Sequence, residues 1–362
     1  MRAADMPMSR LDKLVVSPSA RLREVLECID RGAQGIALIV DEQRRLISTI
    51  TDGDARRAIL AGTDLDLPVY QFLLQRDPAG NFRPVTAPHT TAQAELLHLM
   101  NEKTLRQIPL VDDENRVVDV AFLSELAKEY ELPLRALVMA GGYGTRLKPL
   151  TDELPKPMLP VGDRPLLEII VDGLRDAGIR RVNVATHYKG EVISDHFQDG
   201  QRFGVDIRYV REDEPLGTAG ALSLLDESEE PLLVINGDIL TRVDFRAMLI
   251  FHKDHKADLT VAVRQYEFNV PYGVILTDGV NVKGIAEKPV VKQFINAGIY
   301  LLSPSVRKLV PNGRPCDIPD LIKWLIEAHR PVVCFPVREY WLDIGKADHY
   351  AQANSDMENG RF

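Results

Sequence analysis

The chain has 362 residues, a formal net charge of -9 and 45% hydrophobic residues, a composition typical of a globular protein of about two domains. This acidic balance argues against nucleic acid as the main partner, and no run approaches the ~20 apolar residues of a membrane-spanning helix. The start, MRAADMPMSRLDKL, has no apolar segment that would predict a signal peptide. We therefore expect a cytoplasmic protein with free thiols at its three cysteines, Cys28, Cys316 and Cys334.

The first third of the chain contains an internal repeat. Ile36–Asp54 (IALIVDEQRRLISTITDGD) aligns without gaps with Gln107–Glu125 (QIPLVDDENRVVDVAFLSE), 71 residues further on. Each copy predicts a strand, a charged turn, a second strand and a helix. Each copy also follows an amphipathic helix, at 20–32 or 91–103, in which apolar residues recur at spacings of three and four. Two such units usually pack together and bury faces that neither could bury alone.

The repeat resembles a tandem CBS module (a Bateman module), a pair of ligand-sensing domains that often bind adenine nucleotides. The copies would lie at about 12–66 and 80–130, within a domain of residues 1–130. The resemblance implies that Thr51 and Asp54 of ITDGD contact the phosphate and the ribose of an adenine nucleotide.

The second copy departs from this motif, because Phe122 and Glu125 stand where the threonine and the aspartate should be. One half of the pair therefore has a complete motif and the other does not. An alternative for ITDGD is a turn followed by a helix whose amino end Asp54 caps. Another alternative is that the repeat pair only joins two chains.

Strands and helices alternate after a short boundary segment, Glu131–Arg135, which contains Pro133. This order predicts a second domain at 135–362 with an open α/β sheet covered by helices on both faces. The predicted strands are 136–140, 181–186, 205–210 and 231–240, and the predicted helices are 164–178, 190–197 and 217–225. Ligands bind such sheets at the carboxyl ends of the strands.

A glycine-rich turn follows the first of these strands, in LVMAGGYGTRLKPLTDELPKPML. The amides of its three glycines, Gly141, Gly142 and Gly144, can approach an anion closely. Arg146 and Lys156 follow and can neutralise a polyphosphate. The spacing fits neither GxGxxG nor GxxxxGK[ST], which argues against a nicotinamide-dependent oxidoreductase.

This segment resembles the signature of sugar-1-phosphate nucleotidyltransferases, which have a Rossmann-like domain with a mixed sheet. Further segments agree in order: EPLGTAGAL, INGDI, IAEKP, FINAGIY and YWLDIG. The resemblance implies catalytic roles for Arg146, Lys156, Asp238 and Lys288. It also implies that the glycine turn and Thr145 bind the nucleotide.

The resemblance also implies Mg²⁺ held by Asp238 and Asp343. Asp238 follows an apolar run, where an unpaired carboxylate would be costly. Two carboxylates with phosphate oxygens and waters form a typical Mg²⁺ site.

The remaining site residues divide between the base and the sugar. Gly217, Thr218 and Gly220 would lie against the nucleobase, and the form LGTAGAL resembles the guanylyl-transferring members. The residues implied at the sugar phosphate are Gly273, Glu287, Lys288 and Asn296.

We therefore expect transfer of GMP from GTP to glucosamine- or mannose-1-phosphate, for surface-glycan or nonulosonic-acid precursors, by a homo-oligomer of two or more chains. Heptose-1-phosphate is a further candidate acceptor. The alternatives are a uridylyl-, cytidylyl- or thymidylyltransferase of the same family, or a catalytically silent regulatory subunit.

Overall fold

The structure, a computed structural model, describes residues 10–362 apart from residues 33, 81, 104, 127–130, 213 and 312. It divides into two units, Met1–Tyr130 and Glu131–Phe362. No helix in the described part of the chain is both long and apolar enough to traverse a bilayer.

The first unit consists of two copies of one arrangement. Its elements are β1 (Val15–Val16), α1 (Leu22–Gly32), β2 (Ile36–Val40), β3 (Leu46–Thr51), α2 (Asp52–Leu60), α3 (Val69–Arg76), β4 (Ala87–Pro88), α4 (Gln93–Lys103), β5 (Gln107–Val111), β6 (Val117–Phe122) and α5 (Leu123–Leu126). The sheets β1-β2-β3 and β4-β5-β6 have the same order. In both, the first pair is parallel and the second antiparallel. The predicted repeat is confirmed.

The two copies are joined where β3 and β6 begin. The amide of Leu46 donates to the carbonyl of Asn115 at 2.9 Å, and the amide of Val117 donates to that of Arg44 at 3.0 Å. Buried side chains of both copies, including Leu38, Leu46 and Val117, form one apolar cluster. Each copy thus covers an apolar face of the other, as a packed repeat requires.

The second unit is built on a mixed sheet. Its elements are β7 (Arg135–Met139), β8 (Pro160–Val161), β9 (Arg164–Pro165), α6 (Leu166–Ala177), β10 (Arg181–Thr186), α7 (Gly190–Phe197), β11 (Asp206–Arg211), α8 (Gly217–Gly220), β12 (Leu232–Asn236), β13 (Ile239–Thr241), α9 (Phe245–Asp254), β14 (Leu259–Asn269), β15 (Val274–Asp278), β16 (Asn281–Ala286), β17 (Val290–Leu302), α10 (Pro304–Arg307), α11 (Ile318–Glu327), β18 (Val332–Pro336), β19 (Trp341–Asp343) and α12 (Ala347–Glu358).

The seven-stranded sheet has the order β11-β10-β7-β12-β17-β14-β18. Its first four strands are parallel, and β17 runs antiparallel to both of its neighbours. Successive residues of β7 enter different apolar clusters: Ala136 and Val138 join one, and Leu137 joins the other. The sheet therefore buries both of its faces, which confirms the predicted mixed α/β architecture.

Two predicted elements were wrong in extent. The predicted strand 231–240 is interrupted at Gly237 and Asp238, and its second part, β13, pairs with β19 instead of the main sheet. The predicted helix 217–225 is the short α8 followed by a 3₁₀ turn. The expected end of α6 is confirmed, because Gly178 caps it with a φ of 92°.

Gly237 allows the interruption of the strand, and this can be tested. A β-carbon there would lie 2.7 Å from the carbonyl oxygen of Met139. Gly237→Ala should therefore lower the free energy of unfolding by about 1–3 kcal/mol. The measurement is urea unfolding followed by tryptophan fluorescence, because Trp324 and Trp341 both lie in the second unit.

The matched control is Gly173→Ala inside α6, where no atom lies within 4 Å of an added β-carbon. It should leave stability unchanged or raise it by up to about 1 kcal/mol. Equal effects of the two substitutions would contradict the steric explanation.

Candidate active site

The parallel strands bring four loops to one edge of the sheet. β7, β10, β11 and β12 end there, and the chain continues into the glycine turn, His187, Glu212 and Asp238. The carboxyl edge of a parallel sheet is where α/β proteins bind ligands.

The glycine turn is shaped by close contacts on one side and is open on the other. Gly144 has a φ of 64°, and a β-carbon there would lie 2.8 Å from the Thr151 side chain, whose hydroxyl donates to the Gly144 carbonyl at 2.9 Å. Gly142 faces open space. Thr145 and Arg146 follow in a 3₁₀ turn and are exposed. The turn can therefore present backbone amides and a cation to a phosphate.

Lys156 lies further along the same connection between β7 and β8, in the 3₁₀ turn Lys156–Met158. Its Nζ lies 2.6 Å from Oδ2 of Asp238, and the two side chains are only 12% and 25% exposed. The structure thus joins two of the predicted catalytic residues in one ion pair.

Asp343 completes a carboxylate pair with Asp238. Ile239 of β13 pairs with Asp343 of β19, and the amide of Ile344 donates to the carbonyl of Asp238 at 2.9 Å. Oδ1 of each aspartate is buried, and no group in the described part of the chain forms a hydrogen bond with it. Burial and the neighbouring charge of Asp238 raise the pKa of Asp343, and Lys156 opposes this.

Unpartnered carboxylate oxygens of this kind suit a hard divalent cation, which prefers oxygen ligands. The described residues contain no group of three His, Cys, Asp or Glu side chains placed to hold a metal. A Mg²⁺ ion here would therefore depend on these two aspartates, phosphate oxygens and water, which fits its ordinary coordination.

The LGTAGA turn packs against the segment before α11. Gly217 has a φ of 77°, and the amide and hydroxyl of Thr218 donate to Oδ1 of Asp317 at 2.9 and 3.2 Å. A β-carbon on Gly220 would lie 2.6 Å from Leu216. Internal contacts thus determine the shape of the turn, and its contact with a base stays a prediction.

Glu212 belongs to this edge and was not predicted. It is only 6% exposed, its Oε1 has no hydrogen-bond partner among the residues that the structure describes, and burial raises its pKa. Its other oxygen lies 3.0 Å from a β-carbon built on Gly141, and the amide of Leu216 donates to its carboxylate. The sequence signal was an acidic residue directly after a strand and before the glycine-containing turn.

His187 links Glu212 to Tyr143 of the glycine turn through two hydrogen bonds. Nδ1 of His187 lies 2.8 Å from the carbonyl oxygen of Glu212. A carbonyl can only accept, so Nδ1 carries the proton and Nε2 accepts from the Tyr143 hydroxyl at 3.0 Å. His187 therefore orients Tyr143 beside the glycine turn.

Three of the predicted sugar residues, Gly273, Glu287 and Lys288, lie in the loops that join β14 to β15 and β16 to β17, and Asn296 lies within β17. A β-carbon on Gly273 would lie 2.9 Å from Oε2 of Glu287, so these two are neighbours. Lys288 is exposed with a φ of 44°. Asn296 donates to the Tyr300 hydroxyl at 2.8 Å and accepts from the amide of Gly298 at 3.0 Å. Its amide group is thus engaged internally, and its role at the sugar stays a prediction.

In the first unit, Thr51 and Asp54 form a capping box at the start of α2. The helix N-cap is Thr51, not Asp54. Asp54 also pairs with Arg57 at 2.8 Å and Arg76 at 3.0 Å. Burial alone would raise the pKa of Asp54, but the Thr51 amide and Arg76 bring it below its ordinary value.

The second repeat has a different arrangement at the corresponding positions. Arg10 pairs with Glu125 at 2.6 Å, and its guanidinium lies 4.3 Å from the centre of the Phe122 ring.

Residues 135–360 match the family model described as nucleotidyl transferase. The chain belongs to the nucleotidyl transferase family. Residues 3–61 and 79–131 match the CBS domain model, so this nucleotidyl transferase carries a CBS pair, and both predicted resemblances are confirmed.

Two mannose-1-phosphate guanylyltransferases are among the relatives of this chain. The mannose-1-phosphate guanylyltransferase catalytic subunit beta of Drosophila pseudoobscura pseudoobscura is 36% identical over 220 residues, 59% of this chain and 59% of the relative. The mannose-1-phosphate guanyltransferase of Yarrowia lipolytica is 36% identical over 222 residues, 59% of this chain and 61% of the relative. The match thus spans about three fifths of these relatives.

Among solved structures, HddC from Yersinia pseudotuberculosis is similar with a TM-score of 0.50 and 27% identity, covering 62% of this chain and 99% of that one. This similarity agrees with the α/β architecture of the second unit.

The unpartnered carboxylates predict a stability effect. Asp343→Asn removes one of two neighbouring, partly buried negative charges, so at pH 7 in EDTA it should raise the free energy of unfolding by about 1 kcal/mol. Urea unfolding followed by tryptophan fluorescence measures this. Asp348→Asn, at an exposed position nearby, is the control and should change stability by less than about 0.5 kcal/mol. A destabilising Asp343→Asn would contradict electrostatic repulsion at this site.

Proposed function

We propose that residues 135–362 form the catalytic domain of a sugar-1-phosphate nucleotidyltransferase and that residues 1–130 form its ligand-sensing module. The observation that carries this proposal is the partly buried pair Asp238 and Asp343 beside Lys156, in which Oδ1 of each aspartate is buried without a partner among the described residues. A catalytically silent subunit would have no need to keep two costly charges together.

The names of the relatives favour mannose-1-phosphate and a guanine nucleotide as substrates. Glucosamine-1-phosphate is the second candidate acceptor. With either sugar, the product would be a nucleotide-sugar, and we assign it to the synthesis of surface-glycan or nonulosonic-acid precursors.

Glu212 supports the choice of guanine. Guanine has two neighbouring donors, N1–H and the N2 amino group, whereas adenine, cytosine, uracil and thymine lack such a pair on this edge. A carboxylate has only acceptors and can receive both donors. The carboxylate of Glu212 lies between the glycine turn and the LGTAGA turn, and one of its oxygens has no partner.

The reaction is an in-line substitution at the α-phosphorus. An oxygen of the sugar's phosphate forms a bond to this atom, while the bond to the oxygen bridging to the β-phosphate breaks and pyrophosphate leaves with the electron pair. The attacking phosphate is already an anion, so no base is needed. Catalysis is therefore mainly positioning and charge neutralisation.

Each step has a candidate side chain. Arg146 and Lys156 would neutralise the triphosphate and the departing pyrophosphate, and Lys288 would hold the attacking phosphate in line. Asp238 and Asp343 would hold Mg²⁺, which supplies positive charge to the phosphate oxygens when it is bound.

Regulation would come from an adenine nucleotide at the first CBS copy. The Thr51 hydroxyl lies there in its hydrogen bond to Asp54, and Arg57 and Arg76, 53% and 39% exposed, converge on Asp54. Two arginines around one carboxylate leave a positive charge that suits phosphate.

The activity is tested by pyrophosphate release from the full chain with Mg²⁺. GTP, UTP, CTP, dTTP and ATP are crossed with mannose-, glucosamine-, glucose- and N-acetylglucosamine-1-phosphate. The expected result is release with GTP and mannose-1-phosphate. No release with any pair, also with AMP or ATP added for the CBS module, would favour the regulatory subunit.

Lys156→Ala and Asp238→Asn should each lower kcat by about 100-fold or more, because charge stabilisation at the phosphates is lost. Thermal melting should show that both variants remain folded. The control Lys148→Ala, in the same loop region and 61% exposed, should keep its turnover. Turnover near that of the wild type in either site variant would contradict the assignment.

Glu212→Gln tests recognition of the base. An amide presents both a donor and an acceptor, so kcat/KM for GTP should fall about 10- to 100-fold, while that for UTP or dTTP should fall less or rise. Glu214→Gln, at an exposed position two residues away, is the control. An unchanged GTP preference in Glu212→Gln would exclude Glu212 as the base reader.

A further inference from the structure

Lys156, which we assign to the triphosphate, also forms an ion pair with Asp238. Its ammonium group lies 2.6 Å from Oδ2 of Asp238, and both side chains are largely shielded from solvent. A contact of this length between charged groups is a strong hydrogen bond. Lys156 is therefore the counter-ion of a carboxylate that we assign to the metal.

The charges of Lys156 and of the two aspartates determine how strongly this site attracts a cation. Asp238 and Asp343 together carry two negative charges, and Lys156 reduces the total to one. A divalent cation is attracted less by one negative charge than by two, and it is repelled by an ammonium group on the same carboxylate. Because the group is shielded from water, this repulsion is weakly screened.

We propose that Lys156 and the divalent cation compete for Asp238, so that the nucleotide-free protein binds the metal weakly. The triphosphate removes this competition by taking the ammonium group for its own oxygens. Lysine suits such an exchange, because it is a point charge on a flexible four-carbon stem. The proposal rests on the proposed function, in which Asp238 and Asp343 hold the metal.

The consequence is a positive coupling between metal and nucleotide. A ligand that moves Lys156 away from Asp238 raises the affinity for the cation, and the cation must raise the affinity for that ligand by the same factor. The metal site would thus form fully only when the substrate that needs it is present.

The test is Mn²⁺ binding to the full chain without nucleotide, followed by electron paramagnetic resonance of the free ion. Lys156→Met keeps the apolar stem and removes the charge, and its Kd for Mn²⁺ should be at least about tenfold lower than that of the wild type. Lys148→Met, which removes an exposed charge paired with Asp152, should leave the Kd unchanged. The double variant Lys156→Met, Asp238→Asn should not show the tighter Mn²⁺ binding of Lys156→Met.

The outcomes separate this inference from the proposed function. If Lys156→Met binds Mn²⁺ no more tightly than the wild type, while Asp238→Asn weakens binding, the competition is excluded and the metal assignment stands. If Asp238→Asn changes Mn²⁺ binding in neither background, the metal assignment fails and the competition with it. Lys156→Gln serves as the second uncharged variant if thermal melting shows that Lys156→Met is unfolded.

Discussion

Two negative charges held side by side are the constraint on which the second unit depends. Asp238 and Asp343 lie close enough for the charge of one to act on the other, and Oδ1 of each is buried without a hydrogen-bond partner among the described residues. Such an arrangement costs stability, so the surrounding structure must enforce it. The ladder between β13 and β19 fixes the two backbones, and Lys156 offsets part of the charge. The glycine turn then adds flexible backbone and Arg146 to the same edge.

Much of the architecture could be predicted because it follows from local patterns. The repeat in the first unit is visible as an ungapped self-alignment, and the paired sheets follow from it. The strand periodicity and Gly178 at the end of α6 are local signals too. The glycine turns, cations and acidic residues that follow predicted strands are local signals as well. Because parallel strands end at the same edge of a sheet, most of the candidate site residues could be predicted to lie there.

Contacts between distant segments could not be predicted in the same way. The break in the strand at Gly237 depends on the backbone of Met139, which lies on another strand. The amide of Thr218 donates to Asp317, 99 residues further along the chain, and the alternation of polar and apolar residues does not reveal such a contact. Glu212 was not predicted because, in the sequence alone, it cannot be distinguished from an ordinary acidic residue of an exposed loop. Its burial between two turns is a property of the packed fold alone.

The pairing of β13 with β19 also determines how late Asp238 and Asp343 can come together while the chain is being synthesised. Asp238 and Asp343 are more than a hundred residues apart in sequence, yet their strands are direct neighbours. A nascent chain can form the main parallel strands well before β19 has left the ribosome. The carboxylate pair is therefore among the last features of the domain to assemble, so a growing chain has no complete metal site while most of its fold is still being made.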